Sequence, residues 1–121
     1  MQIDPLLAPV LAQLAEPPLT DIVAFRAGEL ATARRIEGTL TSRVPESVRV
    51  RDTVIPGETP IPIRIYTPEG DRVRAGLLFA HGGGWASGSI EAADGHCGDL
   101  AAGADVVVVS VDYRLIPEHP F

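Results

Sequence analysis

Apolar residues recur at helical spacing over the first forty positions of the chain. Asp4, followed by proline, is suited to cap a helix. The apolar stripe of this first predicted helix consists of Leu6, Leu7, Val10, Leu11 and Leu14. Pro17 and its proline neighbour end it. Either Thr20 or Asp21 can cap a second helix, which is predicted to run to about Ile36. Its apolar stripe is weaker, so we expect it to pack on another element.

The pattern changes from helical to alternating after residue 45. The alternating apolar positions are Val48, Val50 and Val54 in one run and Ile61, Ile63 and Ile65 in the next. The connector over residues 56–60 is short and rich in turn residues, which predicts an antiparallel hairpin. Pro62 lies inside the second run, so this strand must either lie at a sheet edge or not need an N–H at that point.

Two further strands are predicted on either side of a helix. Residues 75–80 are small and apolar without interruption, and residues 106–111 are almost all valine, as in buried strands. A helix near 92–102 is predicted, although its glycines weaken it. A strand, a glycine-rich loop, a helix and a strand form a βαβ unit, so the two strands should be parallel. We therefore predict an α/β fold, with a helical cap segment over 1–44 and a core over 45–121.

Composition and charge narrow the functional classes. The chain has 121 residues, is 45% hydrophobic and carries a net charge of −6, which disfavours nucleic acid as a partner. Cys97 is the one cysteine, so no internal disulfide can form. The N-terminus has no basic region, and no apolar stretch is long enough to span a bilayer. Cytoplasmic localisation is the expectation.

The run His81-Gly82-Gly83-Gly84-Trp85 directly follows the first of the two predicted βαβ strands. Successive glycines let a backbone turn sharply and leave its N–H groups uncovered, which suits an oxygen that becomes negative during acyl transfer. A tight turn without chemistry is an alternative. A phosphate-binding loop is disfavoured, because no Lys-Ser or Lys-Thr follows the glycines.

A nucleophile for such a reaction is missing from the sequence. No Gly-x-Ser-x-Gly occurs, and neither Ser87 nor Ser89 has the flanking residues of a strained nucleophile elbow. Cys97 has acidic neighbours, which disfavour a reactive thiolate. No residue of a catalytic triad is expected within these 121 positions.

The glycine run, Asp112-Tyr113-Arg114-Leu115 and Pro117-Glu118-His119-Pro120-Phe121 together resemble the hormone-sensitive-lipase-like family of α/β-hydrolase esterases. The resemblance covers essentially the whole chain. It implies the N-terminal part of an α/β-hydrolase fold, with an antiparallel first hairpin and then a parallel βαβ unit, preceded by a helical cap segment.

The resemblance also implies roles for the residues of the loop. Gly83 and Gly84 are expected to donate their backbone N–H groups to the oxyanion hole, and Gly82 to allow the turn. His81 is expected to steady the loop and not to act as the catalytic base. Trp85 can pack beside the loop, as buried aromatic residues do, or contact the substrate.

Asp112, Arg114 and Glu118 form a charged cluster downstream of the last strand. An arginine between two carboxylates lowers their pKa values, which indicates a structural ion-pair network and not an acid–base pair. The resemblance implies the same structural role.

The resemblance places the serine, the acidic residue and the catalytic histidine of a carboxylic-ester hydrolase after the Pro-Glu-His-Pro segment. We therefore expect them in a missing or separate C-terminal part that carries Gly-x-Ser-x-Gly, and we expect this chain alone to be inactive. Without that part, the strand over 77–79 should be an unpaired edge and a large apolar face should be exposed. The expected substrate is a small ester, with no cofactor and no metal.

Two alternatives stay open at this point. Plant gibberellin receptors resemble the same family and bind a small molecule without hydrolysing it, so a non-catalytic binding protein is the second candidate. A structural module is the third, and it leaves the glycine loop without a purpose.

Overall fold

The computed structural model describes residues 21–36 and 43–120 of the chain. The helices are α1 (Ile22–Ile36) and α2 (Asp94–Ala104), the latter preceded by a 3₁₀ turn over Glu91–Ala93, and the strands are β1 (Val48–Ile55), β2 (Ile61–Pro68), β3 (Gly76–Ala80) and β4 (Val107–Val111). The helix predicted over 6–14 lies outside the described residues. The division into segments 1–44 and 45–121 stays a prediction. Within the described ranges, no helix has the length and apolarity needed to cross a membrane.

The strands form one mixed sheet in the order β1-β2-β4-β3. Strands β1 and β2 are antiparallel neighbours over their full length, which confirms the predicted hairpin. Strands β3 and β4 are parallel and joined through α2, which confirms the βαβ unit. Strand β4 also pairs antiparallel with β2, so β3 is left at an edge of the sheet.

The position of Pro62 is resolved by this strand order. Strand β2 lies inside the sheet, so the possibility of an edge strand is wrong. The carbonyl of Pro62 accepts a hydrogen bond from the N–H of Asp112 at 3.0 Å, just past the last pair of the β2–β4 ladder, Ile63 with Val111. The missing N–H therefore falls where that ladder ends.

Both helices begin or end on aspartates. The Asp21 carboxylate accepts the N–H groups of Val23 and Ala24, each at 3.0 Å, which confirms the predicted cap of α1. Helix α2 ends at Asp105, whose backbone is left-handed (φ 53°). Two arginines, Arg72 and Arg74, bind the Asp105 carboxylate and hold this terminus.

The core lies between α2 and one face of the sheet. Its buried members are Val48, Tyr66, Ala93, Cys97, Ala101 and Val108. A Cβ on Gly98 would approach the side chains of Val44 and Pro45 to 2.9 Å. This glycine, which weakens the helix, is therefore required by close packing.

The opposite face of the sheet is also apolar. Register and side-chain alternation place on it Ile61, Ile63, Ile65, Leu78, Ala80, Val109 and Val111. Neither described helix packs there, since α2 lies on the first face and α1 contacts the 3₁₀ turn. Leu78, on β3, is 74% exposed. The expected free strand edge is thus present in the described part of the chain, and this face is exposed at Leu78 and Ala80, whereas Ile63 on the same face is buried.

Candidate active site

The glycine run begins at the carboxyl end of β3 and forms a tight turn. Four successive or nearby residues have positive φ angles: Gly83 (125°), Gly84 (59°), Trp85 (60°) and Gly88 (91°). The turn closes on one carbonyl, that of Gly83, which accepts the N–H of Ala86 at 3.0 Å and of Ser87 at 2.9 Å. A Cβ on Gly83 would overlap the backbone carbonyl of Ser87, so no other residue fits.

Gly82 behaves differently from its neighbours. Its φ is not positive, and a Cβ built on it meets nothing within 4 Å. The expectation that Gly82 allows the turn is therefore wrong, because the left-handed conformation and the close approach both fall on Gly83. Gly88, which lies outside the motif, is the further glycine that the turn requires, since a Cβ there would overlap Gly82 and the ring of His81.

The N–H groups of the glycine run are not used within the loop. Among the residues that the structure describes, no acceptor bonds the N–H of Gly82, Gly83 or Gly84. Gly83 and Gly84 are exposed, so these donors are accessible to a ligand. Backbone donors held by a closed turn can bind a developing negative charge without reorganising.

The side chain of His81 packs against this loop. The side chain is buried, its Nδ1 lies 2.8 Å from the carbonyl of Gly82, and its ring stacks on Tyr113 with centroids 4.3 Å apart. The Tyr113 hydroxyl donates to the His81 carbonyl at 2.6 Å. With Nδ1 donating to the loop, His81 is oriented by the turn, which agrees with a supporting role.

An open depression of about 1060 Å³ borders the loop. Its lining includes Leu78 and Ala80 of β3, Gly82 and Gly84 of the loop, and Trp85. Trp85 is 62% exposed. The described residues therefore leave the indole at the depression and do not bury it.

The charged cluster differs from the expectation. Within the described ranges, Arg114 makes no ion pair with Asp112 or Glu118. Burial and the nearby Glu91 carboxylate raise the pKa of Asp112 above its ordinary value. The predicted network centred on Arg114 is thus wrong, because Asp112 lies near another acid and Glu118 binds a different arginine.

Glu118 is nevertheless part of an ion pair, with a residue far away in sequence. The guanidinium of Arg26, on α1, binds both carboxylate oxygens of Glu118 at 2.8 and 2.9 Å. This contact lowers the pKa of Glu118. Glu29, also on α1, accepts the N–H of Gly88 at 3.3 Å. Sequence reasoning missed both residues of α1, because nothing local distinguishes them from other surface charges.

Neither Ser87 nor Cys97 is placed to act as a nucleophile for acyl transfer. Ser87 is buried, and its hydroxyl donates to the Gly83 carbonyl at 3.3 Å. Cys97 is fully buried in the core, and burial raises the pKa of its thiol, so it is a structural residue. No group of three potential metal ligands occurs in the described ranges.

Comparisons with known proteins identify relatives of the chain. A family model described as "alpha/beta hydrolase fold" matches residues 77–121. Esterase LipI of Mycobacterium tuberculosis is 41% identical over 98% of this chain and 37% of its own length, and Carboxylesterase NlhH of the same organism is 34% identical over 93% and 36%. The structure of a hyperthermophilic esterase from Pyrobaculum calidifontis superposes with a TM-score of 0.83 at 36% identity, over 100% of this chain and 39% of that one.

The chain thus spans less than two fifths of the length of these relatives. Its mixed sheet and helices correspond to a part of their fold. On these grounds the chain belongs to the hormone-sensitive-lipase-like family of α/β-hydrolase esterases, of whose fold it carries an N-terminal portion.

Proposed function

We propose that this chain supplies the oxyanion-hole loop of a carboxylic-ester hydrolase. The observation that carries the proposal is the pair of N–H groups at Gly83 and Gly84, which no described residue accepts and which a closed turn holds at the rim of an apolar depression. In acyl transfer the ester carbonyl oxygen becomes negative as the nucleophile attacks, and donors aimed at that oxygen stabilise the transition state more than the ground state.

The remaining catalytic groups come from a complementary C-terminal segment or chain. A serine in Gly-x-Ser-x-Gly would attack the carbonyl, a histidine would take its proton and return it to the leaving alcohol, and an acidic residue would orient the histidine. The N–H that follows the serine would complete the oxyanion hole. The apolar lining by Leu78 and Ala80 favours an uncharged acyl group in the depression.

A chimera tests this proposal directly. Residues 1–121 would replace the matching portion of Esterase LipI, and hydrolysis of p-nitrophenyl esters of increasing acyl length would be followed. We expect an active chimera. We also expect that Gly83→Ala lowers kcat by about 100-fold or more, the loss typical of one misplaced oxyanion donor. KM should change much less, because the donors act mainly in the transition state.

Gly82→Ala is the matched control, since a Cβ at Gly82 meets nothing and its φ is ordinary. Activity within a few fold of the parent chimera is expected for it. An active chimera in which Gly83→Ala has no effect on kcat would contradict the oxyanion role. A chimera that binds esters without turning them over would favour the alternative of a binding protein.

A further inference from the structure

One guanidinium of helix α1 joins two loops that are far apart in the sequence. The Nε of Arg26 donates to the Ala86 carbonyl at 2.5 Å, in the glycine loop. One terminal nitrogen donates to the Ile116 carbonyl, and the other binds the Glu118 carboxylate. The side chain is 20% exposed, so these contacts are largely shielded from water. The planar fork of arginine is suited to hold several acceptors at fixed angles, which lysine cannot do.

The residue next to this contact has a strained backbone. Trp85 has φ 60°, a conformation that a bulky L-residue rarely adopts and that costs free energy. The carbonyls of Trp85 and of the residue after it each accept a hydrogen bond. The Trp85 carbonyl accepts the N–H of Ile116 at 2.9 Å, and the next carbonyl, that of Ala86, accepts Arg26. The strained turn is thus held by contacts from outside the loop.

The loop is also bonded to α1 one turn further along. Glu29 accepts the N–H of Gly88, which lies against the ring of His81. Residues 26 and 29 are neighbours on one face of the helix. Helix α1 therefore contacts the loop on both sides of Ser87, at Ala86 and at Gly88.

We propose that Arg26 is the positioning residue of the glycine loop: it fixes Ala86 against Ile116, keeps Trp85 in its left-handed conformation and so maintains the directions of the Gly83 and Gly84 donors. The proposal rests on the proposed oxyanion function for its catalytic consequence, but the structural part stands without it. Through Arg26, a displacement of α1 changes the loop that holds the donors.

Hydrogen exchange of this chain tests the structural part. The N–H groups of Ala86 and Ser87, which close the turn on Gly83, report on the loop, and the N–H of Val108, inside the sheet, reports on global opening. In Arg26→Ala we expect loop exchange to rise at least fivefold relative to that of Val108. Arg26→Lys should give a similar rise, because lysine keeps the charge beside Glu118 without holding both carbonyls.

Arg43→Ala is the matched control, since Arg43 is 70% exposed and, among the described residues, its ion pair is with its near neighbour Glu46. It should leave the ratio of loop to sheet exchange unchanged. An unchanged ratio of loop to sheet exchange in both Arg26 variants overturns the proposal. A loss of overall stability does not affect this test, because global unfolding speeds the exchange of all three amides together.

The catalytic consequence of the proposal is measured as kcat and KM in the chimera with Esterase LipI. Arg26→Lys should lower kcat at least tenfold with little change in KM, and Arg43→Ala should leave both unchanged. An unchanged kcat in an active chimera overturns the catalytic consequence. An inactive parent chimera counts against the proposed function alone, since the exchange ratio still decides whether Arg26 positions the loop.

Discussion

At the scale of single residues, the shape of the loop after β3 depends on two positions that cannot carry a Cβ. Gly83 is one, because its Cβ would overlap the Ser87 carbonyl. Gly88 is the other, because its Cβ would overlap both the Gly82 carbonyl and the imidazole of His81. Both also have positive φ angles, so sterics and backbone conformation exclude side chains together.

We therefore expect Gly88→Ala to destabilise the chain, although this glycine lies outside the motif. The left-handed conformation alone costs about 1 kcal/mol or more for alanine, and the overlap with His81 adds to it. Urea unfolding followed by circular dichroism would measure the change. Gly103→Ala is the control, since Gly103 lies in α2 with open space around it. It should be neutral or stabilising, by up to about 1 kcal/mol. Equal stability of the two variants would refute this account of the loop.

The sequence predicts the site only where the relevant residues are adjacent in the chain. The run of three glycines is visible as a motif, and so is the absence of a nucleophile beside it. Gly88 is recognisable only after the turn brings it against His81, and Arg26 only after α1 is placed 60 residues away against Ala86. Proximity in sequence pairs Glu118 with Arg114, whereas the fold pairs it with Arg26.

At the scale of elements, a charged network joins the sheet to helix α2. Arg64 of β2 binds Asp52 of β1 at 2.6 and 2.8 Å and Asp94 of α2 at 2.8 and 2.9 Å. The Tyr66 hydroxyl, on the same strand, donates to Asp94. Burial, followed by the bond to Asp94, raises the pKa of Tyr66. Asp94 is thus the acceptor that lets the fully buried Tyr66 lie under the start of the helix.

Asp94→Ala should destabilise the fold by about 1–3 kcal/mol, because it leaves the hydroxyl of Tyr66 without its acceptor and removes half of the contacts of Arg64. Denaturant midpoints at neutral pH would measure this loss. Asp99→Ala, an exposed position on the same helix, should change stability by less than about 0.5 kcal/mol. Similar midpoints for the two variants would show that the network does not contribute.

The alternating pattern predicted the strands but not which face of the sheet is covered. In β2 the three isoleucines suggest a core-facing side, and Ile63 is buried, yet the residue that packs under α2 is Tyr66, on the other side. Periodicity reports that a face is apolar and cannot report which element packs on it. The same limit applies to Pro62, whose surroundings depend on where β4 enters the sheet.

At the scale of the whole molecule, the sheet is bounded on one side by an apolar strand whose outer edge is unpaired among the described residues. Strand β3 has β4 as its neighbour on one side within the described residues, and Leu78 projects into the open depression. The face that carries Leu78 is the one without a described helix. Free N–H and C=O groups next to apolar side chains form a template for association with other strands.

We expect the isolated chain to self-associate, and Leu78→Lys to reduce this association without loss of secondary structure, because Leu78 is 74% exposed. Light scattering over a concentration series would measure the mass of the species. Val73→Lys is the control: Val73 is fully exposed but lies outside the sheet, so association should persist. A chain that is monomeric and cooperatively folded without any substitution would contradict this expectation.

The edge position of β3 also has a consequence for biosynthesis. In a relative such as Esterase LipI, of which this chain matches 37%, roughly 200 residues remain to be translated, which takes about 10–40 s at ordinary ribosomal rates. The β1–β2 hairpin can form early, because its contacts are local. During this interval one edge of strand β3 stays unpaired in the nascent chain. Chaperones that recognise extended apolar segments would bind the nascent chain at this stage.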